Sequence, residues 1–75
     1  MKRFRISEDD TIKAVAVSEK TGKLLSSLYD SGFSTISEVK NSLLRKIVYF
    51  EGKKISIRIT NEKKETYKNF VVKVN

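Results

Sequence analysis

The chain has 75 residues, 16 lysines and arginines against nine aspartates and glutamates, a net charge of +7 at pH 7, and no cysteine, histidine, proline or tryptophan. A chain this short buries only about 60% of the surface exposed by its unfolded form, so a single domain over residues 1–75 with one small core is expected. Disulfides and the usual soft metal ligands are excluded, and the longest apolar runs, Ala14 to Val17 and Ile47 to Phe50, fall far short of the roughly 20 residues that cross a bilayer.

Met1-Lys2-Arg3-Phe4-Arg5 opens like the basic end of a signal peptide but runs into Glu8-Asp9-Asp10 instead of an apolar segment, so the expected location is the cytoplasm. Phe4 and Ile6 alternate with Arg3 and Arg5, which predicts a short half-buried strand over residues 2–7. The carboxylates of Glu8, Asp9 and Asp10 mark a solvated loop; they lack the glycine and the ligand spacing of a calcium loop. Ile12 to Ser18 is rich in β-branched residues at alternate positions and reads as the second strand, closed by a turn at Lys20-Thr21-Gly22-Lys23 in which Gly22 can take a positive φ.

Leu24 to Tyr29 satisfies both strand alternation and helical spacing. The tight turn before it and Asp30-Ser31-Gly32 after it favour a strand returning as a hairpin, with a short helix as the alternative. A helix is expected to begin near Ser34 or Thr35, where Thr35-x-x-Glu38 reads as a capping box. Ile36, Val39, Leu43 and Ile47, widened by Leu44, give it one apolar face, and Arg45 and Lys46 suit its negative C-terminal end.

Val48-Tyr49-Phe50 reads as the helix end or a short strand, and Glu51 to Lys54 as a turn. Ile55, Ile57 and Ile59 then alternate with Ser56, Arg58 and Thr60 in the most regular strand of the chain. After a turn at Asn61 to Lys64, Thr66 to Val74 returns as the last strand, with Phe70, Val72 and Val74 on one face and Tyr67, Val71 and Lys73 on the other. The expected fold is α+β: a mainly antiparallel sheet of about five strands in the order β-β-β-α-β-β, one helix packed on one face.

The first 38 residues carry six basic and six acidic side chains, whereas residues 39–75 carry ten and three, so the whole excess lies in the second half. Such an imbalance steers anionic partners, of which nucleic acid is the commonest. Catalysis is not expected: histidine and cysteine are missing, Gly22, Gly32 and Gly52 lie too far apart for a phosphate-binding loop, and the serines have no histidine base. No metal, cofactor or membrane partner is expected either.

The leading expectation is a nucleic-acid-binding module, for DNA or RNA, that uses a basic sheet face opposite the helix. Arg3, Arg5 and Arg58 would form its centre, provided they emerge together on that face. Lys53, Lys54, Lys63, Lys64 and Lys73 would add phosphate contacts, and Tyr67 could stack on a base. Against this, the arginines could pair with Glu65, Glu51 or the acidic loop in exposed bridges contributing about 1 kcal/mol at most, and the lysines could simply blunt strand edges. The alternative function is a protein-interaction module, or a homodimer, docking through the helix face or through the Val71, Val72 and Val74 segment at a sheet edge.

Overall fold

Strand β1, Ile12–Ser18, forms because its alternate positions separate cleanly: Ile12, Ala14, Ala16 and Ser18 are buried, while Lys13 is exposed and Val15 and Val17 are half-buried. The computed structural model describes residues 4–49 and 52–74. Gly22, at φ 74°, turns the chain, its amide donating to the Ser18 carbonyl at 2.7 Å. β2, Leu24–Asp30, then pairs antiparallel with β1. Ala16 lies opposite Ser26 but Val17 opposite Leu24, so Leu25 is an extra, bulged residue. The bulge turns Leu24 outward while Leu25 packs on the core and Ser26 is buried, which explains why this segment alternates poorly in sequence.

Helix α1, Ile36–Arg45, starts at Thr35, whose Oγ1 accepts from the Glu38 amide at 3.2 Å. The Glu38 carboxylate closes the cap on hydroxyls, accepting from Ser34 at 2.6 Å and Thr35 at 3.3 Å. At the other end the Lys46 and Ile47 amides donate to Leu43 and Leu44 three residues back, which tightens and stops the helix. Val48 and Tyr49 consequently extend neither helix nor strand and are exposed, and Phe50 lies outside the described residues. Ile47 still packs on the core from beyond the helix end.

β3, Lys54–Asn61, pairs antiparallel with β1, and β4, Thr66–Lys73, with β3, giving the sheet order β2-β1-β3-β4. The fold is α+β and antiparallel, with four strands among the described residues in the order β-β-α-β-β. The strand expected over residues 2–7 is not formed by its described part. Phe4 and Ile6 do alternate with an exposed Arg5, but they pack on the core from a segment outside the sheet, and the Arg5 carbonyl is bound by the side chain of Asn61 at 2.8 Å. The period of two reported burial, not pairing.

The core lies between one sheet face and α1: Ile12, Ala14, Ala16, Leu28, Ile55, Ile57 and Ile59 meet Val39 and Leu43. The helix packs mainly on β1 and β2, where the two alanines leave room for it. Among the described residues no helix is long and apolar enough to cross a membrane.

Candidate functional site

With α1 and the Phe4–Ile6 segment on the core side, the other sheet face is left open. Its composition follows from strand register. One cross-strand row runs Tyr29, Lys13, Thr60, Tyr67; the next runs Ser27, Val15, Arg58, Asn69; a third runs Leu24, Val17, Ser56, Val71; and Lys54 lies opposite Lys73 at the end. Tyr29 and Tyr67, on the two edge strands, are 65% and 60% exposed and stand three strand spacings apart, about 14 Å. Four cations, Lys13, Lys54, Arg58 and Lys73, share this face.

Arg58 is diagonal to Tyr67, and its guanidinium carbon sits 5.1 Å from the ring centroid, a cation–π contact. Neither Arg58 nor Lys13 has a carboxylate within 4 Å among the described residues, so Arg58 makes none of the bridges to Glu65 or the acidic loop that were the alternative for the arginines. Arg58 therefore remains a charge held by an aromatic ring instead of one neutralised by an acid. Between β1 and β3 the face dips into an open depression of about 340 Å³ lined by Lys13, Ala14, Val15, Arg58, Thr60 and Glu62.

The other basic residues singled out in the sequence go elsewhere. Asp10, 1% exposed, accepts at one oxygen from the Asn61 amide at 2.9 Å, the Lys64 ammonium at 2.9 Å and the Ser7 backbone amide at 3.1 Å. Lys63 lies 3.9 Å from its other oxygen. The Asn61 hydrogen bond first, and then Lys64, hold the Asp10 carboxyl at about 2, below its usual 3.8. Lys64 also donates to the Ser7 hydroxyl at 2.9 Å, so this lysine fastens the acidic loop to the β3–β4 turn. Asp10, expected as a solvated loop residue, is the anchor of a buried polar cluster.

Arg5 belongs to the segment that packs on the covered face, away from Arg58, and Arg3 lies outside the described residues. Lys53 is exposed just before β3, its carbonyl accepting from the Val74 amide at 2.7 Å. Of the expected surface, the fold thus gathers Arg58, Lys54, Lys73 and Tyr67 on one face.

Sequence reasoning missed Lys13, Tyr29 and Glu62. Lys13 was legible as an outward residue of β1, but its place beside Thr60 depends on a pairing between segments more than 40 residues apart. The bulge hid the outward direction of Tyr29. Among the described residues no three carboxylate, histidine or cysteine side chains gather to hold a metal ion. The chain matches no family model, no curated protein and no solved structure.

Proposed function

We propose that the chain is a non-catalytic nucleic-acid-binding module of the cytoplasm whose ligand is a single strand lying across the open sheet face. The observation carrying this reading is the row in which two exposed tyrosines flank Lys13 and Thr60, with the unneutralised Arg58 against one of them. Exposed aromatic rings on a flat sheet can stack on bases only where those bases are unpaired, and neighbouring cations take the phosphates. Lys54 directly opposite Lys73 supports the same reading: like charges facing each other across a ladder are destabilising, by up to about 1 kcal/mol, and an anionic ligand relieves the repulsion.

Replacing Tyr67 or Tyr29 by Ala is expected to weaken binding of a single-stranded oligonucleotide about tenfold each, as loss of one base stack does, while Phe at either position retains it. Fluorescence anisotropy reads the affinity and circular dichroism the fold. Unchanged affinity in both folded alanine variants refutes the reading. A second reading, a protein partner or a second copy pairing with β4, draws on Val71, 53% exposed on that edge strand, whereas the β2 edge has its Ser27 carbonyl occupied by Lys46 at 3.3 Å. Sedimentation of the chain alone and with oligonucleotide distinguishes the two.

A further inference from the structure

The depression between β1 and β3 has an unusual lining for a phosphate cradle. The residues lining it include one acidic, Glu62, and two basic, Lys13 and Arg58, together with Thr60 and the apolar Val15, and the Arg58 guanidinium rests over the Tyr67 ring at its rim. None of the three charged groups has an ion-pair partner within 4 Å among the described residues. A carboxylate on a surface that binds polyanions lowers affinity for every phosphate, so its presence calls for a ligand group that donates hydrogen bonds. A carboxylate is acceptor-only and takes two parallel donors; a guanidinium or ammonium is donor-only.

Among the four bases only guanine answers both. Its edge carries two adjacent donors, the N2 amino group and N1–H, followed by two acceptors, O6 and N7, the latter being the usual target of arginine and lysine. Uracil and thymine flank a single N–H with two carbonyls, which a carboxylate repels; adenine and cytosine each offer an amino donor next to a ring-nitrogen acceptor. We infer that the depression is a base-reading subsite for guanine within a single strand, Glu62 accepting from N1–H and N2 while Arg58 and Lys13 donate to O6 and N7. This rests on the proposed nucleic-acid function and adds selectivity to it.

The test compares ten-nucleotide uridine oligomers carrying at one central position uracil, guanine, adenine or hypoxanthine, which lacks the N2 amino group, each made also with deoxyribose. Guanine is expected to bind about tenfold tighter than uracil, with hypoxanthine between them, in line with the discrimination of one bidentate pair. Glu62→Gln, an exposed turn substitution, is expected to abolish the preference while leaving the uracil oligomer bound at least as tightly.

Equal affinity for all oligomers overturns the subsite but leaves the binding function standing. A guanine preference that persists in Glu62→Gln assigns the reading to other residues and also overturns it. No binding of even the uracil oligomer at low salt removes both. Guanosine monophosphate displacing the guanine oligomer at equimolar concentration would overturn the assignment to a strand in favour of a free nucleotide.

Discussion

Binding to a polyanion releases counterions, and the number released can be worked from this face. Lys13, Lys54, Arg58 and Lys73 are the cations that strand register brings onto it. On a uridine oligomer, which has no guanine to engage Lys13 and Arg58, all four are free to contact phosphates, and log K falls with log salt with a slope of about −2.8, so raising salt from about 50 to about 200 mM weakens binding roughly fiftyfold. Replacing Lys54 and Lys73 by Gln removes two contacts, reducing the slope to about −1.4 and the loss to about sevenfold. The substitution also removes a like-charge pair, so melting temperature is expected to hold or rise.

The informative control is Lys63→Gln with Lys64→Gln. It removes the same formal charge, but from residues committed to Asp10, so the slope should stay near −2.8 while melting temperature drops. Anisotropy titrations at four salt concentrations measure all three slopes. A wild-type slope shallower than about −1, or equal slopes for wild type and the Lys54/Lys73 variant, would refute the assignment of phosphate contacts to this face.

Three further outcomes concern stability. Asp10 has a lower pKa folded, about 2, than its usual 3.8, so the unfolded chain binds more protons between these values; its contribution is complete above about pH 5 and is lost as pH falls through that window. Thermal melts of wild type and Asp10→Asn should therefore differ most near neutrality and converge towards pH 2. Thr35→Ala removes the side chain that caps α1 and should cost about 1 kcal/mol, seen as a melting temperature lower by roughly 4–8 °C. Glu65 closes the β3–β4 turn at φ 54°, a left-handed conformation that costs a non-glycine residue about 1 kcal/mol; Glu65→Gly should raise the midpoint of urea unfolding, and a lower midpoint would show that the Glu65 side chain contributes something its backbone does not.

The elements legible in the sequence were those whose signals are local. Alternation in Ile12–Ser18 and Ile55–Thr60, the Thr35 cap and the apolar stripe of Ile36, Val39 and Leu43 each arise within a few residues, and each forms where expected, although β3 also takes in Lys54 and Asn61, which the sequence reads as turn residues. Phe4 to Ile6 misled because a segment laid over a core shows the same alternation as a strand. What the sequence does not show is which outward residues become neighbours. Tyr29 meets the row of Lys13 through a bulged hairpin, and Arg58 meets Tyr67 through register across β3 and β4. Nor does it distinguish a lysine available to a ligand from one tied internally: Lys54 and Lys64 have similar surroundings in sequence, but only Lys64 is paired with a buried carboxylate.

The β1–β3 ladder, joining Ile12–Ser18 to Ile55–Asn61, imposes an order on folding. The first hairpin and the helix that packs on it make mainly short-range contacts and can assemble as soon as they leave the ribosome. With that unit formed, the central ladder has still to close the connection from Arg45 to Lys54, at an entropic cost of about 2 kcal/mol from its length of about eight residues, recovered only once Ile55, Ile57 and Ile59 enter the core. Until then the open edge of β1 is a template for any extended chain, and the nascent hairpin–helix unit is the species most exposed to aggregation.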